Sequence, residues 1–179
     1  MKNNMMNVLL ICLFSWLTVA TSCDKPDPPG PEPEFIRYSK DIVMQSKVLN
    51  ASVKYSVYLP DDYLSDTTVR YAVVYLLHGL GDDNNSWNDI YLRVSSLINE
   101  LEHSGEISKM IYVMPQGFRT YYVNRHTGTY DYMDMFVQEL VPHIDRTLRT
   151  VANRDHRAVV GYSMGGYGAL RLSLGFPER

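Results

Sequence analysis

The sequence predicts one α/β domain over residues 35–179, built on a mostly parallel sheet with helices on both faces. First, the segments 71–77 (YAVVYLL), 109–114 (KMIYVM) and 157–161 (RAVVG) are short and largely apolar, which is typical of strands buried in a parallel sheet. Second, segments with helical spacing of apolar residues separate these strands. That alternation favours right-handed crossovers between parallel strands.

Two further strands are expected ahead of the first buried one. They span residues 36–49 and 52–59, and apolar side chains alternate along the second of them until Pro60 ends it. These two strands would form an antiparallel entry to the sheet.

Three helices are expected between and after the buried strands. The first begins at Ser86, which can cap a helix that carries Asp89 three residues later. The second covers residues 131–150 and is bent or interrupted at Pro142, and the third covers residues 165–174. Residues 116–130, rich in tyrosine, glycine and polar side chains, are predicted to form a loop.

The composition is that of an ordinary globular domain and excludes some classes of partner. Hydrophobic residues make up 45% and charged residues 21% of the 179 positions, and the formal net charge is −3. No block of lysine and arginine is present. Binding to nucleic acid is therefore not expected.

The N-terminus has the layout of an export signal. Lys2 precedes an apolar segment over residues 8–20, which is shorter than the roughly 20 residues of a membrane span. Residues 1–22 are interpreted as a signal peptide, and 20–23 (ATSC) resemble a bacterial lipobox. Cys23 would then carry a lipid anchor, residues 23–34 would form a proline-rich tether, and the protein would be exported and held at a membrane. A plain signal peptide without lipid is the alternative.

The segment 161–165 (GYSMG) carries the clearest chemical signal. A serine hydroxyl is a weak nucleophile unless it is exposed and its proton has an acceptor. In a G-x-S-x-G elbow, the serine lies on a strained turn between a strand and a helix, and the glycines leave room for that turn. A strand is predicted before Ser163 and a helix after it, so Ser163 is the candidate nucleophile. An inert serine in a tight turn is the alternative.

A nucleophilic serine also needs donors for the oxyanion that forms during acyl transfer. Met164 follows Ser163 at the start of a helix, where backbone N–H groups are free. The loop over 78–81 (HGLG) follows a buried strand, and its two glycines permit a sharp turn. Leu80 is therefore the second expected donor.

Four segments together resemble the esterase branch of the α/β-hydrolases, which includes feruloyl and acetyl-xylan esterases, S-formylglutathione hydrolase and mycolyltransferases. They are 55–60 (YSVYLP), 77–82 (LHGLGD), 113–117 (VMPQG) and 161–166 (GYSMGG). The resemblance implies a serine carboxylesterase, with Ser163 as nucleophile and Leu80 and Met164 as oxyanion donors. Its substrate would be a small-molecule or polysaccharide-linked ester of the feruloyl or acetyl type.

The loop over 121–124 (YYVN) is similar to a Trp-Tyr-x-Asn segment of feruloyl-esterase-like proteins. Tyr122 is therefore a candidate substrate-binding residue, with packing over the sheet edge as the alternative. Hydrolysis through an acyl-serine requires no cofactor. No metal site is expected either, because the five histidines lack H-E-x-x-H spacing.

The catalytic acid and histidine are not found where this fold places them. In α/β-hydrolases they follow the serine, in the order Ser, Asp or Glu, His. The residues 164–179 that follow Ser163 include Glu178 but no histidine. We therefore expect that the chain holds the N-terminal two-thirds of the domain and is inactive by itself, with His78 and His126 as the upstream alternatives for a base. A non-catalytic, membrane-tethered carbohydrate-binding or scaffold protein is the competing hypothesis.

Overall fold

A computed structural model describes residues 37–178 of the chain. The predicted signal peptide, Cys23 and the proline-rich tether lie outside these residues. None of the helices within residues 37–178 is long and apolar enough to cross a membrane.

Five strands form one mixed sheet, in the order β1-β2-β4-β3-β5. The strands are β1 (Tyr38–Ser46), β2 (Ala51–Tyr58), β3 (Ala72–Leu77), β4 (Met110–Pro115) and β5 (Arg157–Gly161). Strands β1 and β2 pair antiparallel, as do β2 and β4, whereas β3 pairs in parallel with β4 and β5. All strands except β2 therefore run in one direction, which confirms the α/β class and the antiparallel entry.

Helices cover both faces of this sheet. One face packs against α1 (Val94–Ser104) through a small apolar cluster that includes Val74, Val94 and Ile98. The other face carries the larger core, covered by α4 (Met164–Gly175) and by a helical stretch over 132–147. That stretch consists of α2 (Tyr132–Met135), a π-helical segment (Phe136–Leu140) and α3 (Val141–Thr147).

The second helix is interrupted, as expected, and the position of Pro142 explains the interruption. Pro142 cannot donate an N–H group to the preceding turn. The wider π-helical turn ends at Leu140, and Pro142 lies in the first turn of α3, where a missing N–H costs little. The helix ends at Thr147 rather than Thr150, because Thr150 forms a bridge with Tyr71 beside the sheet.

Two expectations were wrong. The helix predicted from Ser86 is divided into a π-helical turn (Trp87–Tyr91) and α1, with Arg93 in a left-handed conformation between them. The Ser86 hydroxyl bonds Asp83 and does not cap a helix. Strand β5 is not fully buried either: Val160 is 46% exposed, because β5 lies at the edge of the described sheet and pairs only with β3.

Candidate active site

Ser163 lies on a strained turn between β5 and α4. Its backbone has φ 53° and ψ −121°, a conformation that costs an ordinary residue about 1–3 kcal/mol. The side chain is exposed to solvent at the carboxyl end of β5. A nucleophile elbow requires this combination, because the strained turn lifts the hydroxyl out of the packed sheet.

The two glycines of GYSMG are required by close backbone contacts. A methyl group on Gly165 would lie 2.6 Å from the carbonyl carbon of Leu77 and 2.9 Å from the carbonyl oxygen of His78. A methyl group on Gly161 would lie 2.9 Å from the Cα atom of Gly165. Nonbonded carbon atoms prefer about 3.5–4.0 Å, so no other residue fits at either position without movement. The glycines thus let α4 begin directly against the end of β3.

This close approach brings the two expected oxyanion donors to neighbouring loops. Within residues 37–178, neither the Met164 N–H nor the Leu80 N–H has a hydrogen-bond acceptor in the protein. Met164 is the first residue of α4, where the helix dipole favours an anion. Leu80 belongs to the loop after β3, and its side chain is 48% exposed. Both backbone groups are thus available to an oxyanion, and that role stays a prediction.

A tyrosine and an aspartate connect the Leu80 loop to the elbow. Asp82 accepts hydrogen bonds from the hydroxyl groups of Tyr162, at 2.5 Å, and Tyr91, at 2.9 Å. The Tyr162 ring also fills the space beside Gly79, where a methyl group would lie 2.8 Å from it. Burial, followed by the hydrogen bond to Asp82, raises the pKa of Tyr162, so its hydroxyl stays protonated and donates at neutral pH. The sequence reasoning missed this link because Asp82 and Tyr162 are 80 residues apart.

His78 is part of the loop architecture. The side chain is fully buried, and its Nε2 atom accepts the Gly117 N–H at 2.8 Å. The Nδ1 atom lies 2.8 Å from the Gly79 carbonyl oxygen, to which it can donate. The Nε2 atom also lies 2.8 Å from Oε1 of Gln116. Both ring nitrogens are therefore occupied by groups of the two loops. His78 cannot also take a proton from Ser163 in this arrangement.

No other histidine within residues 37–178 forms a hydrogen bond with the Ser163 hydroxyl. His143 forms a hydrogen bond with the Tyr55 hydroxyl group. His103 and His156 form hydrogen bonds with residues four and three positions earlier in the chain. His126 is exposed in the loop after β4. The structure thus brings together the nucleophile and two possible oxyanion donors, without a base in contact with the serine.

Tyr122 lies in the core of the site rather than on its surface. Its side chain is fully buried, and its hydroxyl donates to the His78 carbonyl oxygen at 3.1 Å. The ring occupies the space beside Gly168 of α4 and beside Gly117. It has no exposed surface on which a substrate could stack, so its place in the structure is that of a support between α4 and the loop. The neighbouring Tyr121 is 46% exposed and faces solvent.

No metal centre is suggested by the described part of the chain. Within residues 37–178, no group of three or more histidine, cysteine, aspartate or glutamate residues is arranged to hold a metal ion.

Comparison with known proteins identifies the family of the chain. The family model described as "Putative esterase" matches residues 46–179. An endo-1,4-beta-xylanase/feruloyl esterase of Xylanibacter ruminicola is 29% identical over an alignment of 164 positions, which covers 84% of this chain and 22% of that protein. An esterase of Mycobacterium tuberculosis is 34% identical over an alignment of 122 positions, which covers 66% of this chain and 25% of that protein.

Solved structures show the same fold. A ferulic acid esterase superposes with a TM-score of 0.72 at 31% identity, covering 79% of this chain and 55% of that one. A fluorophosphonate-binding serine hydrolase of Staphylococcus aureus superposes with a TM-score of 0.65 at 27% identity, covering 83% of this chain and 54% of that one. The chain thus spans about half the length of these structures and a quarter or less of the two sequence relatives. It belongs to the esterase family of the α/β-hydrolase fold.

Proposed function

We propose that this protein is a serine carboxylesterase that acts through an acyl-enzyme on Ser163. The observation that carries the proposal is the elbow: an exposed serine at φ 53°, directly before a helix whose first N–H group has no acceptor within the described residues. The family match over residues 46–179 supports it. The proposed substrate is a feruloyl- or acetyl-type ester on plant polysaccharide. The names of similar proteins, a xylanase/feruloyl esterase and a ferulic acid esterase, favour the feruloyl type.

The reaction would proceed in two halves. The Ser163 oxygen attacks the ester carbonyl while a histidine takes its proton, and the resulting oxyanion accepts hydrogen bonds from the Leu80 and Met164 N–H groups. The C–O bond to the alcohol then breaks, the histidine returns the proton to the alcohol, and water hydrolyses the acyl-serine. Each oxyanion donor contributes about 100- to 1,000-fold in rate. The histidine and its acid partner would come from segments that do not contact Ser163 in the described structure.

The test uses the product of the complete gene, with ethyl ferulate and p-nitrophenyl acetate as substrates. We expect turnover that is lost in Ser163→Ala and retained in Ser173→Ala, a matched change of an exposed serine on α4. Equal turnover in the parent and in Ser163→Ala would refute the proposed nucleophile. A product that binds xylo-oligosaccharides but hydrolyses no ester would favour the non-catalytic alternative.

The chain 1–179 alone provides a separate test of the missing base. We expect it to hydrolyse p-nitrophenyl acetate no faster than its Ser163→Ala variant, because no histidine in residues 37–178 bonds the Ser163 hydroxyl. Clear turnover that disappears in the variant would contradict this expectation. It would place the base among the histidines of the chain, with His126 as the first to substitute.

We also propose that the protein is exported and anchored through a lipid on Cys23. The support is the lipobox-like segment 20–23 and the proline-rich residues that follow it. Expression in a bacterial host with an alkyne-tagged palmitate should label the protein. Cys23→Ser should abolish the label and release the protein from membranes, while Cys12→Ser should change neither result. Labelling that persists in Cys23→Ser would refute the anchor.

A further inference from the structure

A cleft with two arginine side chains lies beside the Leu80 loop. It has a volume of about 460 Å³ and separates the loop after β3 from the loop after β4. We call it the arginine cleft and define it by Gly81, Asp82, Arg119, Arg125 and Tyr130. The position expected for a Cβ atom on Gly81 lies 4.0 Å from a guanidinium nitrogen of Arg119, so this charge lies next to the residue that follows Leu80.

Both guanidinium groups are available to a ligand. Within residues 37–178, neither Arg119 nor Arg125 forms an ion pair with a carboxylate. Arg125 is held over the ring of Tyr130 at 5.4 Å, and its backbone N–H donates to the Tyr130 carbonyl oxygen at 3.1 Å. A stacked guanidinium keeps its N–H groups free at the ring edge, so the orientation of Arg125 is prepared before any ligand binds.

The acidic side chain of the cleft forms no ion pair with either arginine. Asp82 bonds the hydroxyl groups of Tyr162 and Tyr91 instead. With two guanidinium groups and one carboxylate along its walls, the cleft carries a net charge of +1. A single negative charge on a ligand would balance it.

We propose that the arginine cleft binds a carboxylate carried by the substrate close to the ester group. This proposal rests on the esterase function proposed above, because it assumes that the ligand is part of an ester substrate. A guanidinium fork binds a planar carboxylate through two parallel hydrogen bonds. The chemical class is a sugar ester with an acidic sugar, such as a uronic acid, next to the esterified unit. A neutral ester would leave both arginines unpaired at the cleft.

The test measures binding without catalysis, so that its failure is distinct from failure of the esterase proposal. Chemical-shift titrations of the Ser163→Ala chain compare D-glucuronate with D-glucuronamide, which has the same shape without the charge. We expect glucuronate to bind about tenfold more tightly, as is ordinary for charge-assisted hydrogen bonds at a partly exposed site. Adding Arg119→Gln or Arg125→Gln should remove most of this preference. Arg154→Gln, an exposed arginine before β5, should leave it intact.

Several results would overturn the inference. Equal binding of the two sugars would exclude a carboxylate site, and so would a preference that survives both arginine substitutions. Inorganic phosphate that displaces glucuronate at equal concentration would exclude the carboxylate as the intended ligand. The variants change exposed side chains, and identical melting curves would confirm that the fold is intact.

Discussion

The replacement of Gly165 by alanine tests whether the elbow depends on the close approach of α4 to β3. A methyl group at this position would lie 2.6 Å from the Leu77 carbonyl carbon, about 1 Å closer than a favourable carbon contact. The opposing atoms belong to the backbone at the end of a central strand, so they cannot rotate away. Overpacking of this kind costs typically 1–3 kcal/mol, and a backbone neighbour favours the upper end, about 3 kcal/mol.

The same substitution also has a favourable component. Alanine in a helix is more stable than glycine by about 1 kcal/mol, so the net destabilisation expected for Gly165→Ala is about 2 kcal/mol. For a domain of this size, this corresponds to a decrease in Tm of about 4–8 °C. Gly175→Ala is the matched control, because Gly175 ends the same helix and has no atom within 4 Å of its Cβ position. It should leave Tm unchanged or raise it by a degree or two.

Urea denaturation of the chain, followed by far-ultraviolet circular dichroism, measures the free energy of unfolding of both variants. The prediction requires that Gly165→Ala loses stability while Gly175→Ala does not. If both alanine variants gained stability equally, helix propensity alone would account for the data. The close packing of α4 against the end of β3 would then be wrong as the explanation of the second glycine in GYSMG.

Two further predictions concern Tyr162 and His143. Tyr162→Phe removes the hydroxyl that bonds Asp82, so it should lower kcat of the complete gene product about tenfold through a looser Leu80 loop, at a stability cost of about 1 kcal/mol. Tyr167→Phe, at an exposed position of α4, should leave kcat unchanged, and equal rates in the two variants would contradict the link. Burial lowers the pKa of His143 in the folded state. Below about pH 6.5, the unfolded chain therefore binds more protons at this residue than the folded chain, and the free energy of unfolding should decrease as the pH falls. The midpoint of urea denaturation, measured at pH 7, 6 and 5, should fall less steeply in His143→Asn than in the parent protein. An equal slope in both would show that His143 is not the source of the pH dependence.

Much of the fold could be predicted because local patterns and burial agree. Strand β5 has the bounds 157–161 that were expected, β3 begins one residue later than expected, and β4 is shifted by one residue. The helix from Ser86 was misplaced because its apolar spacing continued across a break. Ile90 and Leu97 fit the helical period, yet they are 64% and 41% exposed. Periodicity therefore predicted apolar positions without showing which of them are buried.

The candidate site likewise has features that the sequence alone predicted and features that only the structure showed. The sequence by itself determined Ser163, its flanking glycines and the Met164 N–H as candidates, because an elbow depends on local backbone geometry that GYSMG specifies over five residues. Leu80 was a candidate because the glycines of HGLG follow a buried strand. Only the tertiary structure decided that Tyr122 is a buried support, that His78 is held by the backbone of two loops, and that Tyr162 reaches Asp82. These contacts join loops 39–80 residues apart along the chain, where no periodic or short-range signal exists. The packing of α4 against the end of β3 brings these loops together.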